Sequence, residues 1–384
     1  MSTLSLAEPL AIGRRLVTEV LEPLKATFVG KDEIVDLMGV SLVAGENLFL
    51  LGPPGTAKSA LVRELAHRLA GRSFEYLLTR FTEPSELFGP FDIRKLRDGE
   101  LVTNTEGMLP EASLVFLDEL LNANSAILNS LLTVLNERMF RRGRETRGLP
   151  TLMVVGASNR LPEDDALGAL FDRFLLRVTC ENVPEEKLGE VLSAGWKLDV
   201  GGQEAPPTLD IEAVRGLHRC LGQVDLSIAR PALVELVVRL RHAGIPISDR
   251  RAVKMQRLVA ASAILCGRTR AAISDLWVFR HIWDTVEQQQ VLAEVVSGTL
   301  KKIALDILDH PRARASDAPD PEALARDLES LDARLSDPAL APADRAVLKD
   351  RLGALSGRTQ WVKDAEQRRM LEEKVHALWV KAEK

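Results

Sequence analysis

The fold of this chain is decided by the stretch Leu48-Phe49-Leu50-Leu51-Gly52-Pro53-Pro54-Gly55-Thr56-Ala57-Lys58-Ser59. A short apolar run leads into a Gly/Pro loop, which ends in Lys-Ser where a helical pattern begins. This order of strand, loop and helix predicts a phosphate-binding P-loop, in which backbone N–H groups surround phosphate oxygens. The start of the helix adds unpaired N–H groups and the positive end of its dipole. By itself the match also fits a Gly/Pro turn before an ordinary helix.

Two side chains of this loop are predicted to act on the nucleotide. Lys58 would place its ammonium group on the β- and γ-phosphates, and Ser59 would offer a hydroxyl group to Mg²⁺. The motif usually has glycine directly before the lysine, whereas this chain has Ala57. A methyl group is tolerable there if φ is negative, and we interpret the sequence as a variant of the motif. The residues expected to contact the nucleotide are Gly52, Pro53, Pro54, Gly55, Thr56, Ala57, Lys58, Ser59 and Ala60.

The composition is that of a globular protein with a substantial core. The chain has 384 residues, of which 46% are hydrophobic and 27% charged, and its length allows two or three domains. The net charge of -5 gives no overall attraction to nucleic acid or anionic membranes. Neither a membrane-spanning run nor a signal peptide is predicted. The three cysteines are few and far apart, which predicts free thiols in a reducing cytoplasm; they are Cys180, Cys220 and Cys266.

Five apolar runs predict the strands of a parallel sheet. They alternate with helical patterns, which places helices on both faces of the sheet. Ligands of such sheets bind at the carboxyl ends of the strands, where the P-loop is expected. A long segment, 82–110, is interpreted as an insertion between core elements. The predicted strands are 47–51, 73–78, 114–117, 151–157 and 174–178.

Strand signals end near Pro184, which predicts three domains. Residues 1–184 are expected to form an αβα nucleotide-binding core, residues 185–310 an α-helical lid, and residues 311–384 a linker with a helical C-terminal extension. A row of leucines falls on one face of the first helix of this extension, and we favour packing of that face on its own chain over binding of a partner. These leucines are Leu324, Leu328, Leu331 and Leu335.

Polar residues follow the third and fourth predicted strands. Asp118 and Glu119 come at the end of the third strand, as in a Walker B element, where hydrolysis needs metal charge over the phosphates and an oriented water. Asp118 would hold Mg²⁺ through its water shell, and Glu119 would position the attacking water. Asn159 follows the fourth strand, where a neutral amide can reach the γ-phosphate or the water. An acidic strand end and an asparagine in a turn are the alternative interpretations.

Several arginines have two interpretations each. Arg173 could stabilise charge on the phosphoryl group of a neighbouring subunit, or it could pair with Asp172. In Ser248-Asp249-Arg250-Arg251, one arginine could reach back over the γ-phosphate, or both could be solvated at a helix start. A basic cluster between a helix and a strand could line a pore, touch an acidic partner or form a solvated hairpin. Its members are Arg138, Arg141, Arg142, Arg144 and Arg147.

Together these motifs resemble the MoxR branch of the AAA+ ATPases. The resemblance covers roughly residues 8–300 and is densest over 45–180. Within the branch the chain is most similar to the RavA group, partly through residues 248–251. That group carries a β-rich insertion toward the C-terminus, whereas residues 311–384 have a helical pattern, so RavA-specific partners are not transferred. The motifs that carry the resemblance are 52–59, 82–90, 109–112, 115–119, 127–138 and 171–174.

The resemblance implies an α/β fold with an AAA+ P-loop core around a five-stranded parallel sheet, a helical lid and a helical C-terminal tail. It also implies ATP or ADP with Mg²⁺ as cofactors and a nucleotide-dependent ring, usually a hexamer. Carried over by position, Asn159 is sensor 1, Arg173 is the arginine finger supplied in trans, and Arg250 is sensor 2, with Arg251 as the fallback.

Further positions follow from the same resemblance. Val29 and Gly30 would lie near the adenine. The segment 89–109 resembles the helix-2 insert that faces the pore of the ring, and 140–149 resembles the hairpin before sensor 1. The catalytic residues predicted in this way are Lys58, Glu119, Asn159, Arg173 and Arg250.

The predicted function is ATP hydrolysis in a ring that remodels protein clients as a chaperone does, together with a partner that carries a von Willebrand A domain. The alternative is a nucleotide-gated assembly scaffold with slow hydrolysis. A nucleic-acid motor is disfavoured by the acidic chain and the lack of recognition motifs. The predicted location is the cytoplasm.

Overall fold

Helices and parallel strands alternate through the first half of the chain in the computed structural model. The structure describes residues 7–97, 100–142, 145–200, 209–301, 309–314, 321–336 and 365–382, with single positions between 345 and 362. The strands are β1 (Leu48–Leu51), β2 (Ser73–Leu77), β3 (Leu114–Asp118), β4 (Met139–Arg142), β5 (Glu145–Gly148), β6 (Met153–Ser158) and β7 (Leu176–Thr179). The helices up to β7 are α1 (Ala7–Arg15), α2 (Glu22–Thr27), α3 (Asp32–Ala44), α4 (Lys58–Arg68), α5 (Pro84–Phe88), α6 (Ile93–Arg97), α7 (Ser125–Glu137) and α8 (Asp165–Phe171). The later helices are α9 (Leu188–Val200), α10 (Ile211–Cys220), α11 (Ala229–His242), α12 (Asp249–Leu265), α13 (Val286–Leu300), α14 (Pro311–Arg314), α15 (Pro321–Leu335) and α16 (Ala365–Ala382).

Five strands form one parallel sheet in the order β2-β3-β6-β1-β7. In its register, Leu51 of β1 lies beside Ser158 of β6 and Thr179 of β7. The residues of β1, β3 and β6 are buried almost throughout, because strands of a parallel sheet are covered on both faces and are therefore apolar on both. The predicted five-stranded parallel sheet is confirmed, and its strand ends differ from the prediction by one or two residues.

β4 and β5 form a separate antiparallel pair between α7 and β6. Phe140 of β4 is buried and lies 5.7 Å, centroid to centroid, from Phe88 at the end of α5. The region of the predicted basic cluster is therefore a hairpin that packs on the segment after β2 through an aromatic contact.

The region after β7 is helical. α12 is its most enclosed helix, since every residue from Leu258 to Leu265 is buried. It packs on α1, on α3 and on the 3₁₀ segment Ile273–His281, which contains the buried Trp277. None of the helices in the described part of the chain has the length and apolar character needed to cross a membrane.

Residues 315–384 form a compact unit with its own core. The leucines that the sequence placed on one face of α15 are buried there with Leu371, Val375 and Leu378 of α16. The prediction that this face packs on its own chain is confirmed. The predicted linker at 311–320 overlaps α14, where Arg312 pairs with Asp36 at 2.8 Å, and the rest of that stretch lies outside the described residues.

Candidate nucleotide-binding site

The P-loop leaves β1 at a point where neighbouring strands crowd its backbone. Gly52 donates its N–H to the carbonyl oxygen of Ser158 at 3.0 Å, and Cys180 donates its N–H to the carbonyl oxygen of Leu51 at 2.7 Å. A Cβ atom at Gly52 would collide with the carbonyl oxygen of Cys180. Glycine is required here because the main chain after β7 passes where a side chain would lie. The loop therefore begins at a fixed point on the carboxyl edge of the sheet.

Ala57 is the loop residue at which the structure differs from the sequence interpretation. That interpretation requires a negative φ, whereas the φ of Ala57 is +65°. Gly55, two residues earlier, has a φ of +82°. Left-handed residues in such a loop turn N–H groups toward a common centre, which an anion can occupy. The expectation of a negative φ is wrong, because the geometry of the loop prevails over the right-handed preference of alanine.

Lys58 begins α4 and lies inside the loop. Its Nζ atom donates to the carbonyl oxygens of Gly52 at 2.9 Å and Pro53 at 2.8 Å, and the residue is only 6% exposed. Thr56 closes the same turn through Oγ1, which donates to the carbonyl oxygen of Pro53 at 2.9 Å. The rim around Gly55 is exposed. The ammonium group is thus held at the centre of a loop whose mouth is open to an anion.

Asp118, Glu119 and Asn159 start from the same edge of the sheet as the P-loop. Asp118 ends β3, and Asn159 directly follows Ser158, which pairs with Leu51 in the register. Glu119 has a φ of +50°, and its N–H donates to Oδ1 of Asp118 at 2.9 Å. A left-handed conformation is rare for glutamate and is found most often where a site requires it. The structure therefore brings these three polar residues to the edge where the loop begins.

The donors at this edge suit a magnesium ion that binds together with a nucleotide better than a metal ion held by protein ligands alone. Ser59 contributes a hydroxyl group and Asp118 one carboxylate, which is the donor set that Mg²⁺ takes when phosphate oxygens and waters fill its other positions. Within the ranges that the structure describes, no group of three or more His, Cys, Asp or Glu side chains could hold a metal ion. The residues fit an ion that arrives with a nucleotide.

Val29 and Gly30 lie in the turn between α2 and α3. Gly30 has a φ of +73°, and a Cβ atom there would approach Cγ1 of Val183 to 3.0 Å. Lys31, the next residue, donates through Nζ to the carbonyl oxygen of Glu181. Val29 lines a groove of about 580 Å³ whose other wall is α9. No local pattern in the sequence connects Val183 or α9 with this turn, because the contact joins distant segments.

Arg173 lies at the opposite edge of the sheet. Asn47, directly before β1, donates through Nδ2 to the carbonyl oxygen of Arg173 at 3.0 Å, and the guanidinium group pairs with Asp172 at 2.9 Å. β1 and β7 run in parallel with Leu48 opposite Leu176, so Arg173 precedes the sheet where the P-loop follows it. The length of a strand, roughly 10 Å, separates the two. Within one chain, Arg173 therefore pairs with Asp172 and does not contact the P-loop.

Arg250 and Arg251 have different surroundings. Arg251 is only 7% exposed and pairs with Asp284 at 3.1 Å. Arg250 is exposed, and its Nη2 donates to Oδ1 of Asn136 at 3.4 Å. Arg250 lines a small pocket that Arg173 also lines. The structure therefore brings Arg250 together with Arg173 rather than with the P-loop.

Comparison with known families agrees with this arrangement. The family described as "MoxR domain in the MoxR-vWA-beta-propeller ternary systems" matches residues 14–219, more than half of the chain. A second family, described as an AAA lid domain, matches residues 231–296. The chain belongs to the MoxR family of AAA+ ATPases. The lid match falls on α11 to α13, which carry Arg250 and Arg251.

Individual relatives of this MoxR protein cover much of its length. An uncharacterized protein of Methanocaldococcus jannaschii is 37% identical over 296 residues, which are 76% of this chain and 76% of that protein. The chaperone MoxR1 of Mycobacterium tuberculosis is 26% identical over 238 residues, 61% of each chain. The crystal structure of a candidate ATPase from Cytophaga hutchinsonii has a TM-score of 0.63 at 19% identity, covers 78% of this chain and 97% of that chain, and shows the fold alone.

A buried arginine joins the lid of this MoxR protein to its sheet. Arg177 of β7 is fully buried, donates to the carbonyl oxygen of Trp283 at 2.8 Å and pairs with Asp284 at 2.8 Å. Its guanidinium carbon lies 4.3 Å from the ring centre of Phe171. Burial lowers the pKa of Arg177 to about 9, which still leaves it charged at neutral pH. Since Arg251 pairs with the same carboxylate, Asp284 connects β7 with α12. Neither Arg177 nor Asp284 lies in a motif that the sequence predicts to be functional.

The segment 89–109 of the MoxR protein is attached to the β4–β5 hairpin. Arg142 donates through Nη1 to the carbonyl oxygen of Gly89 at 2.6 Å and lies 4.0 Å above the ring centre of Phe91. The N–H of Thr103 donates to the carboxylate of Glu145 at 3.2 Å. Arg142 and Glu145 lie opposite each other in the hairpin, so both contacts attach the segment to the same end of it.

The other members of the basic cluster that the structure describes have different surroundings. Arg138 donates to Oδ1 of Asn47 at 2.7 Å, and burial lowers its pKa to about 10. Arg141 pairs with Glu137 at 2.7 Å. Arg144 lies outside the described residues. Arg147 is exposed, with its guanidinium carbon 5.7 Å from the ring centre of Phe140.

Proposed function

We propose that this MoxR-family protein hydrolyses Mg·ATP in a ring, with each site completed by a neighbouring protomer, and that the cycle remodels a protein client. The observation that carries the proposal is the division of the predicted site between two edges of one sheet. The P-loop, Asp118, Glu119 and Asn159 lie at the carboxyl edge, whereas Arg173 and Arg250 lie together at the amino edge. One chain therefore holds both halves of a site and cannot join them within itself.

At the carboxyl edge, each residue has a defined task. Lys58 would exchange its bonds to the loop carbonyl oxygens for phosphate oxygens, at no loss of partners. Ser59 and Asp118 would hold Mg²⁺, directly and through water, and the ion would draw negative charge from the transferring phosphoryl group. Glu119 would accept a hydrogen bond from the attacking water and align it. Asn159 would hold the same water or a γ-phosphate oxygen without adding charge.

At the amino edge, Arg173 and Arg250 would act on the nucleotide of the neighbouring protomer. Arg173 would place its positive charge where negative charge develops during transfer. We assign sensor 2 to Arg250 rather than Arg251, because Arg250 is exposed beside Arg173 and Arg251 is committed to Asp284. Sensor 2 would then report the nucleotide state of the neighbour to the lid of its own chain.

The base of the nucleotide would lie near Val29 and Gly30. The groove between this turn and α9 supports that placement, and Val183 would form part of its wall. The proposed division of labour follows the predicted domains, with residues 1–184 binding nucleotide, 185–310 acting as the lid and 311–384 as an extension.

The partner is proposed from the family description, which names von Willebrand A and beta-propeller proteins beside the MoxR domain. We propose that the ring is a hexamer and that residues 248–251 act as they do in the RavA group. The ring would act on its clients together with a partner that carries a von Willebrand A domain. Three free cysteines support a reducing location, the cytoplasm.

Nucleotide titration and phosphate release with the Glu119→Gln variant test the proposal. We expect Mg·ATP affinity close to that of the parental protein and turnover lowered by about 100-fold or more, since only the alignment of water is lost. Lys58→Ala should abolish binding, and Arg173→Ala should lose turnover while keeping affinity. Glu212→Gln, an exposed carboxylate on α10, is the control.

Two outcomes would contradict the proposal. If Glu119→Gln hydrolyses ATP at the parental rate, Glu119 is not the residue that positions the attacking water. If the protein assembles with Mg·ATP but hydrolyses it slowly, and a client does not raise the rate, the scaffold alternative is supported instead.

A further inference from the structure

α9 carries an apolar face that the described part of the chain leaves open. Of its side chains described by the structure, residues 188–198, none is buried. Leu188, Leu192 and Trp196 are 50%, 66% and 69% exposed. Residues four apart lie on one face of a helix, so these three form a continuous row, here called the α9 stripe. A single exposed leucine is ordinary on a protein surface, but a row that ends in tryptophan marks a binding surface.

The opposite side of α9 explains which way the stripe is turned. Glu190, Ala194 and Leu198, which lie about 200° around the helix from the stripe, line the groove shared with Val29, next to the proposed position of the base. The stripe therefore borders the proposed nucleotide site from outside. A protomer that completes this site would have to pass close to the stripe.

A second apolar surface lies beside the arginine edge. Val234 and Val238 of α11 and Val253 of α12 are 60%, 44% and 64% exposed, and are here called the valine patch. An exposed ion pair of 2.8 Å between Arg241 and Asp249 connects the two helices. Val238 is three residues before Arg241, and Val253 is four residues after Asp249, so the valines flank this pair.

The valine patch adjoins the residues proposed to act in trans. Arg250 is three residues before Val253 on the same helix, and Arg250 shares its pocket with Arg173. A surface that covers the patch would therefore also meet both arginines. The two apolar surfaces lie next to the two halves of the divided site.

The charges around the two surfaces are complementary. Acidic side chains are in the majority at the start of α9, where Glu185, Glu186 and Glu190 are exposed together with Lys187. Beside the valines, Arg230 donates to Gln256 at 2.9 Å and Arg250 donates to Asn136 at 3.4 Å, and both partners are neutral amides. Arg241 and Asp249 balance each other, and Glu235 is an exposed carboxylate, so cationic groups are in the majority there. Complementary charges steer two surfaces into one orientation and disfavour pairing of like with like.

We propose that the α9 stripe of one protomer docks on the valine patch of the next copy of this chain and so brings the Arg173 and Arg250 of that copy to the P-loop. The proposal rests on the proposed ring and names the surface that closes it. Two different patches meet in each contact, and such a head-to-tail contact generates a ring when its rotation closes.

Cross-linking between single-cysteine variants tests the pairing. Trp196→Cys and Val238→Cys are each made in the full-length Glu119→Gln chain, mixed with Mg·ATP and treated with a short thiol-specific cross-linker. We expect a dimer-sized product in the mixture and almost none in either variant alone. The native thiols give a low background, because Cys180 and Cys220 are buried and burial raises the pKa of Cys266 to about 12. Equal cross-linking of Trp196→Cys with itself would overturn the proposal in favour of a twofold contact.

Charge substitution in the α9 stripe gives an independent measurement. Leu192→Glu and Trp196→Glu should weaken Mg·ATP-dependent assembly on the order of tenfold, while Mg·ATP binding by the monomer stays at its parental value. Met370→Glu on α16, an equally exposed apolar residue, is the matched control and should assemble normally.

The outcomes separate this inference from the proposed function. If the parental chain does not assemble with Mg·ATP, the ring and the docking surface both fall. If the parental chain and Trp196→Glu assemble and turn over equally, only the docking surface falls. Normal assembly of Trp196→Glu with loss of stimulation by client would overturn the docking of copies and assign the stripe to the client.

Discussion

Three described residues other than glycine have positive φ angles, and two of them lie in the proposed site. Ala57 precedes the P-loop lysine, Glu119 is the proposed water-positioning residue, and Arg138 ends α7. A left-handed conformation costs a residue with a side chain on the order of 1–2 kcal/mol. Strain of this kind persists where the surrounding structure enforces it, which makes the two loops costly to form and fixed once formed.

Replacement of Ala57 by glycine should therefore stabilise the nucleotide-free protein. We expect the free energy of unfolding to rise by about 1 kcal/mol, less than the full strain because glycine also loosens the unfolded chain. Urea denaturation measures the change. Ala60→Gly, three residues later in the first turn of α4, is the control and should lower stability, by at most about 0.5–1 kcal/mol. Equal or lower stability of Ala57→Gly would show that the loop does not strain this residue.

His310 gives the protein a defined sensitivity to acid. It is 7% exposed, its ring stacks on Trp277 at 4.4 Å, and its Nδ1 accepts the N–H of Arg312 at 3.1 Å. Burial lowers the pKa of His310 to about 4. The folded protein thus favours the neutral ring, and the stability it contributes is present above the unfolded pKa of about 6.5 and lost as the pH falls toward 4.

The free energy of unfolding is predicted to fall by roughly 3 kcal/mol between pH 6.5 and 4, which follows from the difference between the folded and unfolded pKa values of His310. His310→Asn, which keeps an acceptor and removes the titrating group, should show a flatter dependence of unfolding free energy on pH in this window. His242→Asn, at an exposed position on α11, should keep the parental slope. Chemical denaturation across a pH series measures all three proteins. If the unfolding free energy of His310→Asn depends on pH as steeply as that of the parental protein, titration of His310 is not the cause of the acid sensitivity.

At the scale of elements, β7 is both the edge of the sheet and the attachment of the lid. Arg177 reaches the carboxylate of Asp284 and the carbonyl oxygen of Trp283, and it has no exposed surface. A buried charge is tolerated only with such partners, and removal of Arg177 would leave its carbonyl partners without this donor, whereas Asp284 would keep Arg251. The connection between sheet and lid therefore depends on a polar cluster as well as on apolar packing.

Substitution of Arg177 by methionine tests this attachment. We expect a loss of about 3 kcal/mol in the free energy of unfolding, since the carbonyl groups of Phe171, Ile282 and Trp283 lose a buried donor, while Asp284 keeps its pair with Arg251. Arg63→Met is the control, because the Arg63–Glu75 pair is exposed and such pairs contribute about 0–1 kcal/mol. A similar small effect of both substitutions in urea denaturation would mean that apolar contacts alone hold the lid.

At the scale of the whole molecule, the proposed site is split between two chains. This arrangement predicts that two inactive variants restore each other when mixed. Glu119→Gln supplies an intact arginine edge, and Arg173→Ala supplies an intact carboxyl edge. In a random 1:1 mixture, about a quarter of the contacts combine the two intact halves. We therefore expect phosphate release near a quarter of the parental rate.

Two controls belong to this experiment: each variant measured alone, and a mixture of two variants that are both defective at the carboxyl edge. Each variant alone at the same total concentration should stay inactive, and Lys58→Ala mixed with Glu119→Gln should give no recovery, because neither has a working carboxyl edge. Activity that remains at the background of the single variants, in a mixture shown to assemble, would contradict action of Arg173 in trans.

The sequence by itself determined the sheet, the P-loop and the polar edge. An apolar run, a Gly/Pro loop and Lys-Ser form a local signal, and strands that alternate with helices must run in parallel, so their carboxyl ends meet. The leucine row of α15 was readable for the same reason, since helical spacing is local. The sign of φ at Ala57 was not, because the loop as a whole sets it.

Only the tertiary structure decided which distant residues meet. It placed Arg250 beside Arg173 and gave Arg251 to Asp284, although both arginines lie in one short motif. It buried Arg177, which looks like any strand residue in the sequence, and left the α9 stripe open, although its pattern resembles that of a packed helix. Spacing along a chain reports which side chains share a face, whereas what covers that face depends on the path of every other segment.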